Sequence, residues 1–326
     1  MKRRLSICLA VLMIASCLGV CSGCGQRTVY TATYFDTFDT VLTLHVVASS
    51  PDEANRISKE LHSLVLDLHR HFDIYHEYDG GPNLKTLNDS AGNGTPVSLP
   101  EDVINLLLLG KDLYRQTEGK VNICMGSVLS LWHEARTNGT APPTPDALTV
   151  AAGHISPDSL VIDEENATAM LTDPKASVDV GAIAKGFVAD RVQAYAEARG
   201  MDSLLFDLGG HVLAIGNHPD GDPWRVGIRN PADSSLYTTL EVTNASVVTS
   251  GNDQRFYEWE GKTYHHLIDP ATLMPADHHA SVTVVIPLTH TAAADGLSTA
   301  LFLLPESEGQ QLLLTLVPGG EGFWIP

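Results

Sequence analysis

The chain has 326 residues, of which 44% are hydrophobic, and a formal net charge of −19 from 20 Lys and Arg against 39 Asp and Glu. This length is sufficient to bury a large core, and a mean hydropathy of +0.01 is typical of a chain that is soluble in character. The acidic balance argues against a nucleic-acid ligand, because a phosphate backbone requires a basic surface. It leaves room for a small phosphorylated ligand, since a bound metal ion neutralises phosphate locally.

The N-terminus carries a targeting pattern. Three basic residues at 2–4 precede an apolar run over 5–20, and small residues and cysteines follow. The pattern predicts a secretory signal over residues 1–23, because a membrane span needs about 20 apolar residues. A cysteine after small residues is typical of a bacterial lipobox, and Cys17 and Cys24 both fit. We favour lipidation at Cys24, because cleavage before Cys17 would leave an apolar stalk with spare thiols. The alternative is an ordinary signal peptide cut nearby; both predict export.

The cysteines do not stabilise the mature chain through disulfides. Four of the five lie at or before residue 24, which leaves Cys124 alone. A lone thiol cannot form an internal disulfide, and no Cys/His spacing indicates zinc. The fold therefore depends on its hydrophobic core, and Cys124 is most simply a buried residue of that core.

The rest of the chain alternates helix and strand patterns. In chain order, the sequence predicts a strand over 41–47, helices over 52–71 and 100–117, and a loop or short insertion over 137–158. It then predicts a glycine-bearing turn with a helix over 180–199, strands within 203–231, a strand over 281–286, helices over 292–304 and 307–315, and a strand over 322–325. No repeat or low-complexity linker divides these elements. The pattern predicts a mixed α/β class in one continuous unit.

The first segment with a chemical pattern runs from Ser177 to Asp190. A predicted strand ends at Val180, and the glycines that follow allow a tight turn and a close approach to a ligand. The next helix offers free N–H groups to an anion, and Lys185 lies about one turn into it. The segment is not a Walker loop, because Lys185 precedes its glycine. A plain strand-to-helix turn explains the pattern equally well.

The second segment places His266 three residues before Asp269 and its proline. The pair fits a general base with an orienting carboxylate, or a pair of metal ligands. A surface turn is the third reading, since Asp-Pro often begins a turn and the chain has 14 His.

The third segment places Asp295 four residues before Thr299 in an apolar helix. Residues at this spacing share one helix face, and two oxygen ligands on one face suit a hard cation such as Mg²⁺. In the alternative reading, Asp295 caps the helix and Thr299 bonds back to a carbonyl. Spacing alone does not separate the two.

Several short motifs occur in a fixed order between residues 34 and 325. They are Phe38-Asp39-Thr40, Asp73-Ile74-Tyr75, Leu87-Asn88, Thr117 to Ile123, Leu131-Trp132, Asp179 to Gly186, Leu208-Gly209-Gly210, Trp224 to Pro231, Thr249-Ser250-Gly251, His266 to Pro270 and Ala294 to Thr299. In this order the chain resembles the ApbE family of flavin transferases, which are exported lipoproteins. The resemblance implies a single two-lobed α/β (mixed α+β) domain with a flavin cleft over 34–326, after the signal peptide at 1–23 and a tether at 24–33.

The resemblance also implies a reaction and its residues. The FMN moiety of FAD would move to a Thr or Ser hydroxyl of an exported or membrane redox protein, with release of AMP and with His266 as the base. The implied ligands of Mg²⁺ are Ala182 through its carbonyl, Asp295 and Thr299. The implied FAD contacts are Phe38, Tyr75, Lys120, Val121, Asn122, Asp179, Lys185 and Ile268.

Three departures from the family pattern concern the flavin pocket rather than the metal ligands. Asn122 replaces an aspartate, Leu273 a glycine and Asp253 a tyrosine. Two other functions fit the same residues. One is an FAD pyrophosphatase that uses water as acceptor and yields FMN and AMP. The other is a non-catalytic flavin-binding lipoprotein, which predicts loss of the metal ligands or the base; none is lost.

Overall fold

The structure is a computed structural model that describes residues 27–326. The predicted signal peptide, Cys17 and Cys24 lie outside the described residues. The helices are α1 Pro51–Phe72, α2 Leu84–Asp89, α3 Glu101–Gln116, α4 Gly126–Asn138, α5 Pro145–Ala152, α6 Ala184–Ala198, α7 Ala294–Phe302 and α8 Glu306–Leu316, with 3₁₀ turns at Pro157–Ser159 and Leu288–Ala293. Across residues 27–326, no helix combines the length and apolar character that crossing a membrane requires.

The strands form one large sheet and three small ones. They are β1 Thr28–Thr37, β2 Thr40–Ala48, β3 Val97–Ser98, β4 Leu160–Asp163, β5 Thr168–Leu171, β6 Leu204–Leu208, β7 His211–Ile215, β8 Trp224–Arg229, β9 Leu236–Val242, β10 Ala245–Gly251, β11 Phe256–Trp259, β12 Lys262–His265, β13 Ser281–Pro287 and β14 Glu321–Ile325. The large sheet has the order β1-β2-β6-β7-β10-β13-β14. Every neighbouring pair in it is antiparallel.

Alternation along the strands divides the core between the two faces of this sheet. In β2, Leu42, Leu44 and Val46 are fully buried and belong to the main cluster with α1, α3 and α6. Val47 points the other way and packs with Trp224 under the β8–β9 hairpin. Because successive side chains of a strand face opposite sides, one strand contributes to both layers. Helices α7 and α8 extend the helical layer over β10 and β13.

The mixed class and most predicted elements are confirmed by this architecture. The strand predicted over 41–47 lies within β2, and the helix over 52–71 is α1. Ser50 caps α1 by accepting the N–H of Glu53 at 3.3 Å. The helix predicted over 292–304 is α7, preceded by a 3₁₀ turn.

Two sequence predictions are wrong. The predicted tether at 24–33 overlaps β1, which pairs with β2 from Thr28 opposite Ala48 onward. Residues 28–37 are mostly β-branched or aromatic, which is a strand signal. The predicted loop at 137–158 contains α5, whose start is capped by Thr144 and has Pro145 in its first turn. A Thr-Pro pair interpreted as a loop is here the beginning of a helix.

Two tight turns place residues at one end of the large sheet. Phe38 and Asp39 connect β1 to β2 with φ of 53° and 51°, as a two-residue hairpin of the primed type requires. Gly209 and Gly210 connect β6 to β7 beside them. A Cβ at Gly209 would lie 2.1 Å from Thr40 Oγ1, so only glycine fits this approach. Both turns line the cavity described below.

Truncation distinguishes a strand from a tether at 28–33. A chain that begins at Thr28 should keep the stability of one that begins at Cys24. A chain that begins at Tyr34 should lose about 3–6 kcal/mol, because its six missing residues form about six ladder hydrogen bonds with β2, each worth about 0.5–1 kcal/mol. Thermal unfolding of the chains measures this difference. Equal melting temperatures for the starts at Thr28 and Tyr34 would contradict the strand assignment.

Candidate active site

A single cavity of about 800 Å³ collects the residues implied by the family motifs. Its lining includes Phe38, Tyr75, Lys120, Val121, Asn122, Asp179, Ala182, Lys185, His266, Ile268, Asp295 and Thr299. These twelve residues come from segments up to 261 positions apart in the sequence, from 38 to 299. The fold therefore assembles the whole predicted set on one concave surface.

Asp295 lines this cavity and is almost completely buried. Its side chain is only 4% exposed. Its Oδ2 accepts the N–H of Gly186 at 3.0 Å, and its Oδ1 lies 3.3 Å from Lys185 Nζ. His211, at the start of β7, approaches the same Oδ1 with Nδ1 at 3.5 Å. The carboxylate therefore joins α6, α7 and the central sheet.

The environment of Asp295 keeps it ionised. Burial alone would raise the pKa of this carboxyl, because a dry site disfavours charge. The Lys185 ammonium, the His211 hydrogen bond and the Gly186 N–H outweigh burial and hold the pKa of Asp295 at about 2. A permanently ionised carboxylate at neutral pH is a suitable cation ligand.

The sequence left two interpretations of Asp295 and Thr299, as metal ligands or as a helix cap with a back-bonded hydroxyl. In the structure Asp295 does not cap its own helix, α7. Asp295 lies within the first turn of α7 and caps the start of α6 instead, through Gly186. Thr299 Oγ1 approaches Ser250 Oγ at 3.4 Å, whereas the hydroxyl that bonds back to a carbonyl of α7 is that of Ser298. Both predicted ligands therefore face the cavity.

The third predicted metal ligand, the Ala182 carbonyl, is also available. In a continuous helix the N–H of Gly186 would donate to this carbonyl four residues back. It donates to Asp295 instead, which leaves the Ala182 oxygen without that partner. A carboxylate, a hydroxyl and a free carbonyl are the oxygen donors that suit Mg²⁺, so the residues fit the predicted ion. Within the described part of the chain, no cluster of three or more His, Cys, Asp and Glu offers a different metal site.

His266 is held in the neutral state with one ring nitrogen open. Its Nδ1 lies 3.2 Å from the carbonyl oxygen of Arg255, so Nδ1 carries the proton and donates it to that oxygen. Nε2 is then the unprotonated nitrogen. Burial, and after it the positive charge of the nearby Arg255, together lower the pKa of His266 to about 3. The interpretation of His266 as a base is compatible with this geometry; Asp269 does not orient it.

Asp269 instead pairs with Lys120. Lys120 Nζ lies 3.2 Å from Asp269 Oδ1, and the two side chains are 23% and 12% exposed. This ion pair joins the 117–122 loop to the loop that carries His266 and Ile268. The side chain of Lys120 is therefore committed to a protein carboxylate.

Asn122 is a structural residue of the same loop. Its Nδ2 donates to the carbonyl of Ile155 at 3.0 Å, and its Oδ1 accepts the N–H of Cys124 at 2.9 Å. An aspartate could not donate to Ile155, which explains why an amide fits here. Asp253, the second departure, forms an ion pair with Arg229. Leu273, the third, has a φ of 62°, the left-handed region that favours glycine.

Tyr75 and Asp179 also line the cavity. The Tyr75 ring stacks on His133 with centroids 5.0 Å apart and is 49% exposed. Asp179 Oδ1 accepts the N–H of Gly181 at 2.9 Å. Burial nevertheless raises the pKa of Asp179, because the surrounding protein leaves little solvent for the charge. Phe38 contacts the ring of His69 edge-on at 5.3 Å.

Sequence reasoning missed several residues of the cavity. Arg136, His133 and Arg255 line it, as do Asp207 and Arg229. Arg136 follows the Leu131-Trp132 motif on α4, and Arg255 follows Thr249-Ser250-Gly251 by a few residues. Their positions beside known motifs are the only sequence signal. His211, which follows Gly210 and contacts Asp295, was not predicted either.

The family model of ApbE matches residues 38–321. The chain belongs to the ApbE family. It is similar to the FAD:protein FMN transferase of Haemophilus influenzae, with 28% identity over 328 residues that cover 96% of this chain and 90% of that protein. It is also similar to the FAD:protein FMN transferase of Treponema pallidum, with 34% identity over 261 residues that cover 74% of this chain and 70% of that protein.

Solved structures of ApbE proteins share the fold. The ApbE protein of Thermotoga maritima superposes with a TM-score of 0.79 at 23% identity, covering 91% of this chain and 97% of that chain. The apo form of the Pseudomonas stutzeri flavinyl transferase ApbE gives a TM-score of 0.77 at 27% identity, covering 92% and 91%. The mixed α/β class predicted from the sequence is confirmed.

A glycine substitution tests the contact between α6 and Asp295. A Cβ at Gly186 would lie 2.7 Å from the Ala292 carbonyl oxygen and 3.2 Å from the Asp295 Cβ. We expect Gly186→Ala to destabilise the protein by about 1–3 kcal/mol, because overpacking costs that much in a rigid core. Thermal or denaturant unfolding measures it.

Gly309→Ala on α8 is the matched control. There the new Cβ would find its nearest neighbour at 3.4 Å, an ordinary contact. Helix propensity should then stabilise the variant by up to about 1 kcal/mol. Destabilisation of both variants to the same extent would contradict the close approach at Gly186.

Proposed function

We propose that this protein is an FAD:protein FMN transferase that depends on Mg²⁺. The observation that carries the proposal is the grouping of an ionised carboxylate, a lysine and an open histidine nitrogen in one cavity. The relatives named above carry this activity in their names. The acceptor would be a Thr or Ser hydroxyl of an exported or membrane redox protein.

The reaction is a phosphoryl transfer between two oxygen atoms. The acceptor hydroxyl oxygen attacks the phosphorus on the FMN side of the pyrophosphate, and its proton passes to His266 Nε2. The bond from that phosphorus to the bridging oxygen breaks, and its electron pair leaves with AMP. Lys185 neutralises negative charge on the pyrophosphate as that charge grows.

The residues that would hold Mg²⁺ are Asp295, Thr299 and the carbonyl of Ala182. When bound, the ion would supply further neutralisation of phosphoryl charge. Asp295 also fixes the start of α6, so that Lys185, on the first turn of that helix, faces the same cavity. Phe38, Tyr75, Asp179, Ile268 and the 120–122 loop would contact the rest of FAD.

We further propose that the protein is exported and anchored by lipid at Cys24, with Cys17 as the competing site. The basic, apolar and small-residue order of positions 2–24 supports this placement. The strand at Thr28 leaves only a few residues after Cys24, so the domain would lie close to the membrane surface. Mass spectrometry of the membrane-extracted N-terminal peptide decides which cysteine is modified.

The product balance tests the transferase proposal against its alternatives. The soluble chain from residue 27 is incubated with FAD, Mg²⁺ and an FMN-binding acceptor domain. The proposal expects one AMP for each acceptor molecule that becomes covalently flavinylated. Flavin fluorescence of the acceptor measures the second product. Free FMN with AMP and no labelled acceptor would indicate a pyrophosphatase instead. Bound FAD without any cleavage would indicate a flavin-binding protein.

Two substitutions test which buried group the activity needs. We expect Asp295→Ala to abolish turnover, because it removes both the predicted metal ligand and the partner of Lys185. Cys124→Ala should retain turnover within about twofold, since burial raises the pKa of that thiol to about 11 and keeps it protonated. The rate of FAD cleavage measures both. An equal loss in the two variants would contradict the site.

The pKa of His266 gives a prediction of pH dependence. A base must be unprotonated in the free enzyme, and a histidine with its pKa near 3 is neutral throughout the usual range. We therefore expect kcat/KM for FAD to stay level as pH falls from about 7 to about 5, where an ordinary histidine with a pKa near 6.5 would become protonated. A decline with a midpoint near 6.5 that disappears in His266→Gln would contradict this.

A further inference from the structure

Three hydroxyl groups lie in contact beside the predicted metal ligands. Two of them, on Ser298 and Thr299, belong to α7, and the third, on Ser250, belongs to β10. Ser250 Oγ lies 2.8 Å from Ser298 Oγ and 3.4 Å from Thr299 Oγ1. Ser250 and Thr299 line the cavity, whereas Ser298 is only 1% exposed and is not part of the cavity lining. Ser298 therefore cannot act on a ligand directly.

The proton of Ser298 has one destination. Its Oγ lies 2.9 Å from the backbone carbonyl oxygen of Asp295, and a carbonyl can only accept, so Ser298 donates to it. A hydroxyl carries a single proton, and Ser298 must therefore accept in its contact with Ser250. Ser250 in turn has used its own proton and can only accept from Thr299. The donors are thus ordered from Thr299 through Ser250 and Ser298 to the Asp295 carbonyl.

This order decides which side of the Thr299 hydroxyl is open to the cavity. The proton of Thr299 points towards Ser250, and the lone pairs of Thr299 Oγ1 are left for a ligand. A neutral hydroxyl binds a cation through a lone pair, so this is the orientation that the predicted Mg²⁺ site requires. At 3.4 Å the bond from Thr299 to Ser250 is long, because hydroxyl bonds are usually about 2.5–3.0 Å, so a second contact must help to hold the orientation.

That second contribution comes from the Asp295 carbonyl. A threonine hydroxyl inside a helix commonly bonds back to the carbonyl four residues earlier, which for Thr299 is that of Asp295. In α7 the backbone N–H of Thr299 occupies one lone pair of this oxygen, and the Ser298 hydroxyl occupies the other. The Thr299 hydroxyl is thereby excluded from the carbonyl. Without the Ser298 hydroxyl, the bond back to Asp295 would compete with the position beside Ser250.

We propose that Ser298 is a positioning residue for the predicted Mg²⁺ site and holds the Thr299 hydroxyl in the orientation that binds the ion. It does so in two ways, by accepting the proton of Ser250 and by occupying the Asp295 carbonyl. The inference rests on the proposed function and deepens its metal site by a residue that touches neither the ion nor FAD.

The Mg²⁺ concentration that supports FAD binding tests this role without turnover. FAD binding is followed by flavin fluorescence as Mg²⁺ is added to the wild-type protein, Ser298→Ala and Ser250→Ala. Each substitution should raise the Mg²⁺ concentration for half-maximal binding by about tenfold, as loss of a partner that orients a metal ligand does. Ser298→Ala should leave FAD affinity in EDTA within about twofold of the wild-type value. Ser250→Thr, which keeps the hydroxyl, should restore the Mg²⁺ response in part.

Thr283→Val is the matched control. Thr283 on β13 is also 1% exposed, and its hydroxyl lies 2.8 Å from Thr249 Oγ1, so the substitution removes a buried hydroxyl contact of the same length. It should leave the Mg²⁺ requirement within about twofold. In a Thr299→Val background, Ser298→Ala should add no further change, because a residue that acts through Thr299 has nothing left to position.

The other outcomes overturn the proposal. It fails if Ser298→Ala has the wild-type Mg²⁺ requirement, if Thr283→Val raises that requirement equally, or if Ser298→Ala adds a further loss to Thr299→Val. Melting temperatures show which variants are folded, and Ser250→Ala alone decides the matter if Ser298→Ala does not fold. FAD binding that ignores Mg²⁺ in the wild-type protein would overturn the metal dependence of the proposed function together with this inference. A Mg²⁺ response that depends on Ser298, without any flavinylated acceptor, would overturn the transferase function alone.

Discussion

The site depends on the buried carboxylate of Asp295. Its two oxygens contact the Gly186 N–H, the Lys185 ammonium and the His211 ring, so one side chain ties α6 and α7 to the central sheet. A buried carboxylate without such partners would become protonated. Here the partners keep it charged. The same contacts that stabilise this junction therefore keep a cation ligand ionised at neutral pH and hold Lys185 in the cavity.

The large elements could be predicted from sequence because their patterns are local. Leu42, Leu44 and Val46 alternate with the period of a strand, and α1 combines a cap with a regular apolar face. The site could be predicted only from the fixed order of the short motifs in which the chain resembles the ApbE family. The spacing of Asp295 and Thr299 fitted a metal site and a helix cap equally well, because spacing does not show what a helix packs against. Packing against the start of α6 decides that both residues face the cavity.

The missed features depend on contacts between distant segments. Residues 28–33 are a strand because β2 is present to pair with them, and an N-terminal position suggested a tether. Arg136 and Arg255 are 119 positions apart, and nothing in either local sequence shows that they line one cavity. Asn122 was implied only as an FAD contact, and the sequence did not show that its amide also holds the Ile155 backbone.

The most direct test of the account measures FAD affinity with and without Mg²⁺ in the wild-type protein and in Asp295→Asn. Asparagine has the shape to keep the bond from Gly186 but lacks the charge. The account predicts that Mg²⁺ tightens FAD binding by about tenfold or more in the wild-type protein and by less than about twofold in the variant. The same Mg²⁺ effect in both proteins, or no effect in the wild-type protein, would contradict the central role of this carboxylate.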